Sequence, residues 1–312
     1  MTTMALTPAK RTKMTRGRRQ AIAGYLWIMP WLVGFLGFGL IPTITAFGLS
    51  LTKYDIITTP VFIGIDNYLY AVQTDPLFWR SLGVTLYYVG ASVPLGIIGS
   101  LALALLLNMK KPGTATYRTF FFLPNLTPVV AMAILFTWIL NPQFGPLNYL
   151  LGLVGIPSIP WLGSTQWAIP SLLIMALWSG LGGSRMVIFL AGLQSVPSEL
   201  HEAAEVDGAG RWHRFRHVTL PLISPTMFFN MVLAIIGTLR VFEVSYLTTL
   251  GGPNYATWFY MLHLYQAAFR DFDMGYASAL AVILFIITLV LTYIQLQLSN
   301  RWVYYEGEAR NN

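Results

Sequence analysis

The sequence predicts an all-α integral membrane protein with six transmembrane helices and both termini in the cytoplasm, on three observations. Of its 312 residues 55% are hydrophobic and only 10% charged, whereas soluble domains carry roughly 25% charged residues. Six apolar runs, each able to cross a hydrocarbon core of ~30 Å, occupy residues 24–51, 82–107, 120–140, 167–193, 226–250 and 277–298. The basic residues then sort by side, as membrane topology demands. Of the 19 Lys and Arg, three (Lys53, Arg80, Arg270) fall in the outer loops and two (Arg185, Arg240) inside spans. The rest lie in the tails and in the second and fourth loops.

Taken in order, residues 1–23 carry Lys10, Arg11, Lys13, Arg16, Arg18 and Arg19 with no acid, and read as a disordered, basic cytoplasmic tail. The uncharged run 24–51 exceeds the ~7–15 residues of a signal-peptide core and reads as an uncleaved first span. One membrane domain is expected over 24–298, followed by a cytoplasmic tail over 299–312. The outer segments 59–70 (TPVFIGIDNYLY), 141–163 and 251–266 are rich in turn formers and aromatics. They read either as an interfacial aromatic belt or as a docking surface for an external partner. The net charge of +7 serves topology, because the cations flank apolar runs instead of forming a basic, aromatic-interleaved stripe; no nucleic-acid partner is implied. With no cysteine, disulfides, thiolate nucleophiles and cysteine-held metals are excluded. No Gly-x4-Gly-Lys-Ser/Thr occurs, so the chain lacks the usual cradle for nucleotide phosphates.

The loop 195–225, between the fourth and fifth spans, contains HEAAEVDGAG at 201–210, one residue short of the HExxH zinc signature. Pro197 and Ser198 signal a helix start with Ser198 as N-cap. Glu199, Glu202 and Glu205 follow at i, i+3 spacing in the turns where acids suit the helix dipole. Ala203 and Ala204 keep the helix slim. Gly208 and Gly210 end or bend it, a basic helix follows from Arg211 to about His217, and Pro221 and Pro225 break the chain before the fifth span. A metal could recruit His213 and His217, with His201, but Arg211, Arg214 and Arg216 would repel a dication, so no metal site is expected.

Glu202-Ala203-Ala204, then Asp207-Gly208-Ala209, then Leu220-Pro221-Leu222 with Pro225 resemble the EAA loop of bacterial binding-protein-dependent ATP-binding-cassette (ABC) importers. The segments FIGIDNY (62–68), YRTFFFLPNLTP (117–128), NPQFGPLN (141–148) and VFEVSYLTTLGGP (241–253) are similar to the carbohydrate branch, of the maltose and glycerol-3-phosphate permease type. Glu243 departs from an Asp that many of those permeases carry. The resemblance implies the type I importer permease fold in a prokaryotic cytoplasmic membrane. It also implies that the loop is a coupling helix, with Glu202, Ala203, Ala204, Asp207, Gly208, Ala209, Leu220 and Pro221 facing an ABC ATPase dimer. ATP and Mg would bind that partner and not this chain. A second homologous permease, an extracytoplasmic solute-binding protein and a sugar complete the implied set of partners.

Charges inside a bilayer cost roughly 2.5–3.5 kcal/mol each and mark functional positions. Arg240 and Glu243 stand at i, i+3 on the fifth run, where they either pair with each other or line a polar path with Asn230 and Tyr246; Arg185 on the fourth run is a further candidate. Gly180, Gly182 and Gly183 interrupt that run and predict close helix packing. The competing class is a membrane-embedded enzyme, a hydrolase or lipid transferase using His201, Glu202 or the Arg240/Glu243 pair; the sequence offers it no convincing nucleophile and base.

Overall fold

The computed structural model describes residues 16–109 and 111–304, which are mostly helical. The outermost tail residues, with Lys10, Arg11, Lys13 and Arg310, and Lys110 lie outside them. Three spans are continuous helices and three are bent pairs. The first comprises α1 (Arg16–Gly34) and α2 (Ile41–Leu49), joined by a π-helical turn. Residues 16–23 are thus helical, which corrects the expectation of a disordered tail there: the helix extends a full turn and more ahead of the apolar run. The second span is α3 (Phe78–Leu107) and the sixth is α14 (Met274–Ser299).

The bent pairs are α4 (Thr114–Phe122) with α5 (Val129–Ile139), α7 (Ala168–Gly180) with α8 (Ser184–Gln194), and α10 (Arg211–Leu222) with α11 (Ser224–Leu239). Their bends are 94°, 50° and 65°. Each has a local cause. Pro124 and Pro128 deny backbone donors between α4 and α5, and the glycines at 180–183 lack the side chains that would stiffen the turn. The third bend falls at Ile223. Pro221 sits in the last turn of α10, after the π-helical stretch Phe215–Thr219, and the helix runs through it to Leu222, a correction: the break comes at Ile223 and not at the proline.

Further helices between the spans include α6 (Pro146–Leu153), α9 (Ser198–Val206) and α13 (Tyr260–Phe269). The fifth run is interrupted as well, α11 ending at Leu239 and a short α12 (Glu243–Thr248) following.

α3 is the hub. Its buried residues Val89, Val93, Ile97, Leu101 and Ala104 recur at helical spacing and pack with Phe189 and Leu193 of α8 and Ala234 of α11. Its outer half joins Met132 and Phe136 of α5 and Leu172 and Met175 of α7. A third cluster ties Phe78 to Tyr260, Ala267 and Leu280 of α13 and α14. The glycine expectation is met closely: a Cβ on Gly182 would lie 1.9 Å from the Phe121 carbonyl oxygen, and one on Gly183 would lie 2.4 Å from Asn125 Oδ1. Spans three and four therefore touch backbone to backbone. By contrast none of the described side chains of α1 is buried, and Tyr25, Trp27 and Trp31 stand exposed.

The outer segments are built structures. Thr52–Lys53 and Val61–Phe62 pair antiparallel, and Asn67 donates to the Ser50 and Thr52 carbonyls at 2.9 Å each. Asn148 donates to the Ile159 carbonyl (2.9 Å) and accepts from the Trp161 indole (3.0 Å). Both amides sit where irregular backbone must find partners away from water.

Candidate functional site

On the loop between the fourth and fifth spans, α9 starts at Ser198 with Pro197 as its N-cap and no side-chain cap, so Ser198 is the first helical residue and not the cap. The helix ends in a full Schellman motif. Gly208 takes the left-handed conformation (φ +78°), its N–H donates to the Glu205 carbonyl at 3.0 Å, and the Ala209 N–H donates to the Ala204 carbonyl at 2.9 Å. Arg214 on α10 then reaches back to Glu205 (Nη1–Oε2 2.5 Å). Cap and ion pair together fix the angle between α9 and α10.

Glu202, Ala203, Asp207 and Gly208 are exposed on this element, Ala204 and Ala209 half-buried, and Leu220 and Pro221 half-buried where α10 meets the spans. Val206 is 88% and Trp212 71% exposed. A hollow of about 510 Å³ lies between the two helices, lined by Ala204, Asp207, Gly208, Ala209 and His213. Val206 and Trp212 are therefore exposed apolar side chains on the same element as this hollow.

The zinc alternative fares otherwise. Glu205 is engaged by Arg214, and the His213 and His217 rings stack at 4.0 Å with His217 Nδ1–H donating to the His213 carbonyl. No group of three metal-ligating side chains assembles among the described residues.

Within the membrane the structure redraws the candidates. Arg240 and Glu243 do not share a helix: Arg240 caps the end of α11, and Phe242, with φ −143° and ψ −60°, turns the chain before α12. Both are exposed, and no ion pair joins them; the i, i+3 pairing failed because the run is broken between them. Asn230 is 1% exposed with neither amide atom partnered, so it faces the helix packing and lines no open path here. Tyr246 belongs to an aromatic group, stacked on Phe242 (5.2 Å) and edge-on to Tyr265 (5.3 Å). Arg240 borders a neighbouring apolar groove of about 710 Å³ with Ile236, Met261 and Phe285. The Arg185 guanidinium lies on the α3 backbone, where a Cβ on Gly96 would be 2.1 Å from Nη1. It is half-buried and makes no ion pair among the described residues.

Sequence reasoning missed a polar cluster at the outer end. Asp75 Oδ2 meets His263 Nε2 at 2.7 Å and accepts from the Tyr276 hydroxyl, while Asp75 Oδ1 accepts from the Leu77 N–H at 2.8 Å. Burial alone would raise the Asp75 carboxyl. The bonds from Tyr276 and Leu77 and the nearby His263 outweigh it and hold the group below the usual value of 3.8. These residues come from segments about 190 positions apart, so no local pattern announces them.

A bundle of broken spans carrying an exposed, rigidly capped helical loop defines the permease class of membrane transporter subunit. The family model for binding-protein-dependent transport system inner membrane components matches residues 92–304, and the chain belongs to that family. It is 42% identical over 295 residues to a probable ABC transporter permease protein, YesP, of Bacillus subtilis (strain 168), covering 93% of this chain and 94% of the relative. It is 33% identical over 284 residues to the trehalose/maltose transport system permease protein MalF of Thermococcus litoralis, covering 89% and 94%. A crystal structure of a bacterial ABC transporter involved in the import of the acidic polysaccharide alginate matches with TM-score 0.81 at 26% identity, over 92% of this chain and 98% of that one. The chain is thus a permease component, a transport subunit, of an ABC importer.

Proposed function

We propose that this chain is one half of the pore of an ATP-driven carbohydrate importer in a prokaryotic cytoplasmic membrane, crossing it six times with both termini inside. The reading rests on the α9–α10 element: a helix locked by its cap and the Glu205–Arg214 pair, with Glu202, Ala203, Asp207, Val206 and Trp212 exposed on it. A separate ABC ATPase dimer, which binds ATP and Mg, grips this element on each permease. Closure of the dimer moves the loops, and the spans follow because docking differs in energy between the outward and inward states.

The fully exposed α1 supports a second permease chain, because so many bare aromatic residues along one span suit a protein neighbour as well as lipid. Sugar is the substrate class that the matched relatives support. Phe242, Tyr246 and Tyr265, beside Glu243 and Arg240, offer the apolar ring faces and planar hydrogen-bonding groups that sugars use. An external binding protein would deliver it to the outer loops. The test is a tagged pull-down from native membranes in mild detergent. Co-recovery of an ABC ATPase and a second six-span permease is expected; a chain recovered alone, or one that turns over a lipid or ester by itself, overturns the reading.

A further inference from the structure

The loop 251–259 is held by Thr257, whose carbonyl accepts from the Ser245 hydroxyl (2.6 Å) and whose hydroxyl bonds Thr249 and the Gly252 carbonyl, and beside that network by one indole. Trp258 lies so close to Gly251 that a Cβ there would be 2.3 Å from its ring, and Tyr255 packs edge-on at 5.3 Å. Its Nε1–H donates to His263 Nδ1 at 3.3 Å. The other ring nitrogen, Nε2, lies 2.7 Å from Asp75 Oδ2. An indole N–H only donates and a carboxylate only accepts. His263 is therefore the neutral tautomer with its proton on Nε2, accepting from Trp258 at Nδ1 and donating to Asp75. Sequence separation makes the relay a tertiary link: it joins the 251–259 loop to α13, to the segment before α3 and, through Tyr276, to α14.

From this geometry we propose that His263 is an acid-sensitive latch on the outer loop 251–259. A second proton on the ring must go to Nδ1, where it meets the Trp258 N–H head-on; two donors cannot share the site. Asp75 favours the cation and keeps its bond to Nε2, so the ring stays anchored and Trp258 is what it lets go. The other ionisable groups around the ring fit that order. From α14, Tyr276 donates to Asp75, and Asp273 caps the Tyr276 N–H (3.0 Å). From α13, Tyr260 donates to the Leu280 carbonyl, away from the ring. Tyr70 packs edge-on against Tyr276, and Arg80 Nε donates to the Tyr255 carbonyl at 3.4 Å on the loop's far side. None of these offers Trp258 a replacement acceptor.

The inference concerns the chain itself and does not depend on what docks to the loop. It is tested on the full-length chain in nanodiscs with ¹⁵N-labelled tryptophan, following the indole signals from pH 8 to pH 5. The Trp258 signal, assigned by its loss in Trp258→Phe, is expected to move through a titration in the wild type and stay still in His263→Gln. Glutamine can donate to Asp75 and accept from Trp258 but does not titrate. A static wild-type signal, or one that moves equally in His263→Gln, overturns the latch. Should His263→Gln not fold, hydrogen exchange of the 249–259 backbone decides. In the wild type, after correction for intrinsic rates, protection is expected to fall roughly three- to tenfold between pH 7.5 and 5.5, the worth of one hydrogen bond. In Trp258→Phe it should be low and independent of pH. Equal protection at both pH values in the wild type overturns the proposal.

Discussion

Gly208 permits a sharp separation of backbone cost from docking cost. Its φ of +78° lies in the left-handed region, and a Cβ placed on it meets nothing within 4 Å. A substitution therefore carries no packing penalty in the free chain; its cost is conformational. An L-residue in that region costs roughly 1–2 kcal/mol, which lowers the population of the capped loop about 5- to 30-fold. Asparagine tolerates the conformation far better, and a β-branched residue is worse than alanine. The series Gly208→Asn, Gly208→Ala, Gly208→Val should thus insert normally, because the loop lies outside the bilayer, while ATPase recovered with the permease and solute uptake fall in that order. The assay is quantitative co-purification of the ATPase together with uptake into vesicles. If alanine and asparagine lose equally, the αL argument is wrong and the partner surface excludes any side chain; full uptake with valine would remove the coupling assignment itself.

Four further outcomes are expected. Gly182→Ala places a methyl group against the Phe121 carbonyl and should destabilise the chain by about 1–3 kcal/mol or more, read as a lower melting temperature in detergent; an unchanged value would refute the backbone contact. Asp75 is held below 3.8, so its stabilisation is whole above that value and is lost as pH falls through the lower folded value; thermal unfolding followed downward from pH 3.8 should show this loss in the wild type and not in Asp75→Asn. Asn230→Leu exchanges a buried, unpartnered amide for an apolar group of similar size and should be neutral or stabilising; a stable variant that no longer transports would return Asn230 to the pathway. Glu243→Gln should change uptake kinetics more than complex assembly, and identical kinetics would strip Glu243 of a substrate role.

What the sequence made legible were features that repeat or that use backbone chemistry with few solutions. Apolar length and the placement of cations yielded six membrane segments, and helix-start residues followed by Gly208 yielded a capped, bent loop. The EAA spacing resembled a family that the comparisons then confirmed. Hydropathy is blind to direction, however. A window over 226–250 averages across the turn at Phe242, so Arg240 and Glu243 seemed to be neighbours on a helix that does not exist. The three bends were legible only as prolines and glycines, residues that permit a bend without requiring one.

Asn230 and Asp75 show the deeper limit. A polar residue within an apolar run is equally consistent with a pathway and with a buried interface, and which face it occupies depends on how α11 rotates against α3 and α14. Asp75 reads as an ordinary loop acid until the chain returns about 190 residues later with His263 and Tyr276. Such clusters form only where segments remote in sequence must be joined, and in this chain they sit at the outer end, where α13, α14 and the start of α3 converge. The capped loop 195–225 is rigid by local bonds alone, as the proposed coupling to a partner requires. The Asp75–His263–Tyr276 cluster is instead held by tertiary bonds, the ones the proposed latch rearranges. On these two proposals the ends of the molecule are suited to different inputs, mechanical force at one and solution conditions at the other.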